Sequence, residues 1–307
     1  LVRATEILLI KNFFQRHNID VVLAEFGMAG VEVLDVCIRA KIPLVVNFHG
    51  YDAFHADILN SYQHEYRRMF EIASSIIVGS YHMEKQLVAL GAPQEKVVCH
   101  HLAVDVDEFK GGDPAESLPV FVAVGRFVDK KAPHLTILAF SEIAQQQPQA
   151  RLIMVGTGVL FEACQQLIKA LGLSEQIQLV GARPHHEVAE LLRKARVFVQ
   201  HSVTTHYGDS EGTVVSVLEA CATGLPVVCT RHAGMNDTVL HGETGFLVDE
   251  GDIEGMAAHM LTLARDADLA GRMGRRAREH VAANFSMEQH IARLAEVLEG
   301  AAQRNPT

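Results

Sequence analysis

The sequence has 307 residues, 49% of them hydrophobic and 21% charged; at roughly 150 residues per domain this is material for about two packed cores. It excludes a disordered chain, a collagen-like repeat and a small disulfide scaffold. Lys and Arg number 27 against 37 Asp and Glu, a net charge of −10, which argues against general nucleic-acid binding because that needs a basic face. A local cationic pocket for a phosphorylated small molecule stays compatible with this charge.

Five cysteines (Cys37, Cys99, Cys164, Cys221 and Cys229) are scattered with no C-x-x-C pair, and read as buried thiols of a reducing compartment. No apolar run approaches the roughly 20 residues that cross a bilayer, and no signal-peptide pattern is read, so a cytoplasmic location is expected.

The chain opens with Leu1 inside a helical pattern. Candidate strands follow at 20–25, 43–48, 75–79 and 96–101, with helical stretches such as 61–73 and 81–90 between them. From residue 119 the rhythm repeats, with strands at 119–125, 150–156, 176–180, 196–200, 226–230 and 245–248, most of them separated by helices. Such alternation with nearly continuous apolar strands predicts an α/β fold of parallel sheets covered on both faces. The cluster KGGDPAESL at 110–118 is the expected boundary, with a linker over 111–118. It leaves a four-stranded piece (1–110) ahead of a six-stranded domain (119–285) and a helical tail (286–307). Ligands of doubly wound sheets sit beyond the carboxyl ends of the strands, so the loops after the strands are the places to search.

The most informative stretch is 209–226, DSEGTVVSVLEACATGLP. Glu211 and Glu219 lie eight positions apart, and an apolar helical run from Val214 to Ala222 ends at Gly224-Leu225-Pro226. With Glu211 just before the helix and Glu219 two turns in, the two span roughly 12 Å along the axis. That suits an elongated ligand with an anionic group near Gly212, Thr213 and the amides of Val214, Val215 and Ser216. An ordinary acidic helix start with an ordinary helical Glu is the bland alternative. A second stretch, VGRFVDKKAP at 124–133, follows a strand and offers Arg126 and Lys131 to one phosphate cluster; a solvated basic loop is the alternative, with Lys130 as its surface member. Gly156-Thr157-Gly158 lets backbone approach a ligand or simply makes a tight turn, and lacks the rest of a dinucleotide fingerprint. In Asn47-Phe48-His49-Gly50-Tyr51-Asp52, His49 and Asp52 orient a sugar hydroxyl or move a proton, or are structural. None of the 17 histidines falls in a metal-ligand spacing, so no structural zinc is expected. Asp105-Val106-Asp107 spells D-x-D but reads as turn and packing chemistry.

Taken together, these features resemble the retaining glycosyltransferases of family 4, with the GT-B fold. The resemblance rests on E-x7-E as Glu211 to Glu219, G-R-x-x-x-x-K as Gly125, Arg126 and Lys131, G-x-G as Gly156 to Gly158, and H-G-x-D as His49, Gly50 and Asp52. It runs continuously from about Pro119 to Phe285 and is looser before residue 110. It implies two Rossmann-like domains facing across a cleft, a nucleotide-sugar donor (UDP- or GDP-sugar) in the second domain and an acceptor held by the first. By position, Glu219 would hold ribose hydroxyls, Arg126 and Lys131 the diphosphate, and Glu211 with His49 the donor sugar. Arg183 and its neighbours would flank the base, with His49, Gly50 and Asp52 on the acceptor side. No metal or other cofactor is implied. The reaction would be hexosyl transfer to a glycan or lipid-linked acceptor in exopolysaccharide, lipopolysaccharide or glycolipid synthesis.

Such an acceptor would bring the protein to the inner face of a membrane, where the tail RMGRRAREH at 272–280 either meets anionic lipid or is a solvated face. Two departures stand out. Ala132 replaces the glycine usual after the lysine, a mild change if its φ is negative. The family's first strands and Gly-rich opening loop are not found ahead of Leu1, so the sequence is expected to be a fragment or truncated product of a longer enzyme. The rival readings are a GT-B phosphorylase or epimerase, and a catalytically inactive nucleotide-sugar-binding module.

Overall fold

A computed structural model of the chain describes residues 2–303. In chain order it contains α1 (Val2–Arg16), β1 (Val22–Glu25), α2 (Gly27–Ala40), β2 (Leu44–Phe48), α3 (Tyr51–Phe54), α4 (Ala56–Ile72), β3 (Ser75–Val78), α5 (Tyr81–Ala89) and β4 (Val97–Cys99). It continues with β5 (Val120–Val124), α6 (Pro133–Ala144), β6 (Arg151–Val155), α7 (Phe161–Ala170), β7 (Ile177–Gly181), α8 (His185–Lys194), β8 (Val197–Gln200) and α9 (Val215–Thr223). Then come β9 (Val227–Thr230), α10 (Met235–Thr238), β10 (Gly245–Val248), α11 (Ile253–Arg265), α12 (Ala267–Asn284) and α13 (Met287–Gln303). Each strand expected from the sequence is present, with ends shifted by two residues at most.

The strands form two parallel sheets, one of four strands in the order β1-β2-β3-β4 and one of six in the order β10-β9-β8-β5-β6-β7. By its contacts the chain divides into two units. The first comprises Leu1–Leu102, His206–Thr213 and Glu288–Thr307, and the second Ala103–Thr205 and Val214–Met287. The division after Leu102 falls ahead of the expected linker at 111–118. That segment packs within the second unit instead, where the Gly112 amide donates to the Thr223 carbonyl at the end of α9 (2.9 Å).

In the first unit the period-two alternation of a strand sorts residues between the faces of the sheet. Val46, Phe48, Ile76 and Val78 point into a core with Leu34, Tyr66, Met69 and Phe70 from α2 and α4. Val45 and Ile77 point the other way, onto Leu294, Val297, Leu298 and Ala301 of α13. Helix α13, expected only as a C-terminal helix and tail, thus covers a face of the four-stranded sheet, because its apolar stripe meets that sheet's apolar side.

In the second unit α6, α7 and α11 bury Ile137, Phe140, Cys164, Met256 and Met260 against Phe121, Leu152, Val197 and Val228 of the strands. Helices α8 and α9 pack on each other, and α12 packs on α9. The side chains of Asp252 and Asp266 accept hydrogen bonds from the Gly255 and Leu269 amides (2.8 Å each), capping the starts of α11 and α12. The α9–α12 contact is close. A Cβ built on Gly274 would lie 2.0 Å from the Gly224 carbonyl oxygen, far inside van der Waals contact, so only glycine lets α12 fix the end of α9. Gly274→Ala is expected to destabilise the protein by about 1–3 kcal/mol, read as a lower urea midpoint; an unchanged midpoint would show that α12 can move away at no cost.

Candidate functional site

The order of the six strands reverses between β5 and β8: β6 and β7 extend one way, β8, β9 and β10 the other. In a doubly wound sheet the crevice at such a reversal is where ligands bind. The two loops flanking it carry the motifs. After β5 come Gly125 and Arg126, then a turn over 129–131 leading into α6. After β8 the chain returns to α9, whose first turn holds Val215 and Ser216, with Val214 as its amino-terminal cap. Gln200, at the end of β8, joins the two loops: it lines a small cavity with Gly125, Arg126 and Lys131, and its Oε1 accepts from the Ser216 hydroxyl (3.2 Å). Gln200 carried no signal in the sequence, because its role comes from the sheet order.

Arg126 is exposed and Lys131 half-buried, its stem lying over Gly125. Lys130, expected at the surface, is buried instead, because the turn directs it inward. Ala132 does not have the negative φ that would make its replacement of glycine mild: φ is 36° and ψ 52°. Gly156 and Gly158 earn their place by close approach, since a Cβ on either would lie 1.9 Å from the Gly125 oxygen or 2.4 Å from the Phe127 oxygen. Their loop is zipped to the Arg126 loop by Phe127 N–H to Thr157 O (2.9 Å) and Leu160 N–H to Phe127 O (3.0 Å). The G-x-G element therefore fixes the cationic loop.

Glu219 is buried on α9, and His185 Nε2 at the start of α8 lies 3.2 Å from its Oε1. Burial pushes the Glu219 carboxyl above its ordinary value, while His185 pulls it back and Glu108 adds to the rise. Arg183, after β7, is partly exposed and pairs with Glu187 (3.6 Å). His201, following Gln200, is fully buried, with Nε2 accepting from the Gly251 amide (2.8 Å). Burial pushes it down to about 4, with His134 adding to the fall against Glu250 and Asp252.

Glu211, Gly212 and Thr213 group with the first unit, so Glu211 precedes α9 by a coil and does not continue its axis. Gly212 packs against the His49–Gly50 turn: a Cβ on it would lie 2.7 Å from the His49 oxygen. The Thr213 hydroxyl donates to the Gly79 carbonyl (2.8 Å). This brings the E-G-T segment to the H-G-x-D turn at the carboxyl end of β2. The roles of His49 and Asp52 separate there. Asp52 is wholly buried and turned inward; its Oδ2 accepts from the Gly27 amide (2.8 Å) and its Oδ1 from the amides of His49 (2.9 Å) and Gly50 (3.1 Å). It is therefore a scaffold residue for the turn, and the expectation that it faces an acceptor fails because both oxygens are committed to backbone. Desolvation holds it above its ordinary value despite these bonds.

His49 instead meets Glu25, with Nε2 to Oε2 2.5 Å, and Asn47 Nδ2 donates to the same oxygen (2.9 Å). Glu25 was missed in the sequence: it is 24 positions from His49, and only the parallel register pairing Glu25 with Asn47 brings them together. Beside them Phe26 has φ 75° and ψ 141°, a conformation costing a bulky residue roughly 1–3 kcal/mol, and its ring lies 4.5 Å from the His49 ring.

Other sequence expectations resolve locally. Asp105 Oδ1 accepts from the amides of Asp107 (2.9 Å) and Glu108 (3.0 Å), a turn built by the first residue of D-x-D. In the basic helix, Arg278 donates to the carbonyls of Val106, Phe109 and Ala222, and Arg276 pairs with Glu243 and Glu279. Two of its arginines thus make contacts within the protein. Cys99 is half-buried beside His101, unlike the other four cysteines, which are buried. Among the described residues no group of three or more His, Cys, Asp and Glu is placed to hold a metal ion, and no helix is long and apolar enough to cross a membrane.

Residues 105–280, more than half of the chain, match the model of "Glycosyl transferases group 1", and residues 2–108 match "Glycosyltransferase Family 4". The chain belongs to this glycosyltransferase family. It is 33% identical over 287 residues to the candidate colanic acid biosynthesis glycosyltransferase WcaL of Salmonella typhimurium, covering 91% of this chain and 70% of that one. It is 31% identical over 288 residues to the amylovoran biosynthesis glycosyltransferase AmsK of Erwinia amylovora, again 91% of this chain and 70% of the relative. The crystal structure of Anabaena HepE in complex with UDP is similar in fold, with a TM-score of 0.84 at 20% identity over 96% of this chain and 82% of that one. The two parallel-sheet units are those of the GT-B glycosyltransferases.

Two outcomes follow from this geometry. Asp52→Ala leaves three amides without their acceptor and is expected to cost about 3 kcal/mol or more, read by urea unfolding; a variant as stable as the parent would refute the scaffold role. His201, held below the ordinary 6.5, stabilises the folded state above pH 6.5, and that contribution is lost as pH falls toward 4. Unfolding free energy should fall over this window and fall less in His201→Gln; parallel decline of both proteins would assign the loss elsewhere.

Proposed function

We propose that the chain is a retaining, metal-independent glycosyltransferase that moves a sugar from a UDP- or GDP-sugar to a glycan or lipid-linked acceptor in polysaccharide or glycolipid synthesis. The observation that carries this reading is the pairing, at the strand-order reversal of one sheet, of Arg126 and Lys131 with the amino end of α9. A diphosphate needs positive potential and oriented donors; the guanidinium fork, the mobile ammonium and the first-turn amides supply both. Negative charge grows on the diphosphate as the glycosidic bond breaks, and the same groups stabilise it without a divalent ion.

Glu219 accepts ribose hydroxyls. His185 beside it partly counters the burial that raises its carboxyl. Glu211 and His49 act on the donor sugar, and Gly181 to Arg183 flank the base. Retention follows from front-face attack or a short-lived ion pair. The UDP complex of HepE supports a nucleotide donor, and the names of the two relatives support a polymer acceptor.

Calorimetry with UDP, GDP and ADP in EDTA tests the donor half. One nucleotide should bind at micromolar affinity, and Glu219→Ala or Lys131→Ala should weaken it about tenfold or more, the loss of one charge-assisted contact. Unchanged affinity in both variants would refute the assignment, and binding abolished by EDTA would refute metal independence. Sugar release or transfer from the matching donor distinguishes an enzyme from a binding module.

A further inference from the structure

Strands β8, β9 and β10 are neighbours in the six-stranded sheet, and one side chain outside the motifs ties their carboxyl ends together. Glu250, just past β10, has Oε1 2.5 Å from Nδ1 of His232, just past β9. Its Oε2 accepts from the amide of Thr204, in the segment after β8 (2.8 Å), and the Thr204 hydroxyl donates to Oε1 (3.3 Å). Burial raises the Glu250 carboxyl, but the bonds from His232 and Thr204 outweigh it and hold the group below its ordinary value. It is therefore a carboxylate at neutral pH, with both oxygens taken by protein donors. The next residue repeats the tie, since the Gly251 amide donates to His201 Nε2 (2.8 Å). The exposed pair of Arg231 and Asp249 alongside, at 3.8 Å, is too long and too solvated to add much.

Two hydrogen-bonded paths lead from this clasp to the cationic loop and α9. Val203, beside Thr204, donates its amide to the Lys130 carbonyl (2.9 Å), in the turn that carries Lys131. On the other path, Thr230 Oγ1 accepts from the Ser202 amide (3.1 Å) and donates to the Ser202 carbonyl (2.7 Å). Ser202 Oγ accepts from Gln200 Nε2 (2.9 Å), and Gln200 in turn holds Ser216 at the start of α9. The turn after β9 needs an anchor, because Ala233 has a φ of 48°, a left-handed conformation that a side chain disfavours. The buried His232 ring, held by Glu250, supplies that anchor. All of these residues belong to the second unit.

We propose that Glu250 is a positioning residue of the donor site. It touches no donor; it fixes the Thr204 and His232 segments so that Lys131 and the first turn of α9 stand at the spacing a diphosphate requires. Small errors in such spacing are costly, because binding and transfer both depend on groups already in place. The Glu250 side chain is 34% exposed, against 1% for His232, so its loss loosens the loops without opening the core. The inference deepens the proposed function, on which it rests for the identity of the ligand as a nucleoside diphosphate.

Calorimetry with UDP, GDP and ADP on the full chain tests this role, with Tm recorded for each variant. Glu250→Ala should weaken the nucleotide that the parent binds by about fivefold or more. Glu250→Asp keeps the charge but shortens the reach, and should lose affinity as well. Glu250→Gln should recover most of it, because its oxygen still accepts from Thr204 and its amide can donate to the other tautomer of His232. In a Lys131→Ala background the loss from Glu250→Ala should shrink to about twofold or less, since the group being positioned is gone. Without nucleotide, amide hydrogen exchange at 201–204 and 129–132 should quicken in Glu250→Ala and slow again in Glu250→Gln. The proposal is overturned if Glu250→Ala binds like the parent, or if the Glu250→Ala and Lys131→Ala losses simply add. It is also overturned if Glu250→Asp is spared while Glu250→Gln is as weak as Glu250→Ala, which would mark a role of charge. A parent that binds none of the three nucleotides removes the proposed function as well, whereas binding that is insensitive to Glu250 removes this inference alone.

Discussion

The reversal of strand order between β5 and β8 is the constraint on which the six-stranded unit's chemistry depends. Crossovers that run one way from β5 and the other way from β8 leave their loops side by side with no helix between them. Everything in that gap must then be held by the loops themselves. The Arg126 loop is held from one side by Gly156 and Gly158, whose missing side chains let two backbone turns hydrogen-bond directly. It is linked to α9 from the other side through Gln200 and Ser216. Helix α9 is fixed at its far end by the Gly224–Gly274 approach to α12. Glycines thus recur wherever a site element must be braced, and cations and carboxylates occupy the surfaces so fixed.

The four-stranded unit solves the same problem with a buried charge. Three amides of two separate segments converge on Asp52, so the start of α2 and the His49 turn become one rigid body. A buried carboxylate is costly unless fully hydrogen-bonded, and here each oxygen is occupied. The rigidity has a use: it holds His49 where Glu25 can meet it, and it makes the backbone around Phe26 stiff enough to sustain a positive φ.

What the sequence revealed follows the range of its signals. Strand positions were legible because parallel, doubly covered strands leave dense β-branched runs such as LVV and SII. The cationic loop was legible because its residues are close in sequence and follow a strand. Contacts made by register were hidden: Glu25 acquires His49 only through the pairing of β1 with β2. Direction was hidden as well. The sequence drew attention to Asp52, Lys130 and Ala132, but whether a side chain turns in or out, or a φ is positive, depends on the turn's backbone. The destination of α13 was equally out of reach, because an apolar stripe does not say which of two sheets it will cover.

The two units also divide charge between them. The cations of the motif loops, Arg126 and Lys131, belong to the six-stranded unit, where Glu219 is the buried acid of α9. Among the described residues the large cavity of the four-stranded unit is lined by a carboxylate, an amide, imidazoles and hydrocarbon, without lysine or arginine. On the proposed function, Arg126 and Lys131 would give the six-stranded unit the positive potential that a diphosphate needs. A single net charge of −10 for the chain thus conceals different local charge in the two units.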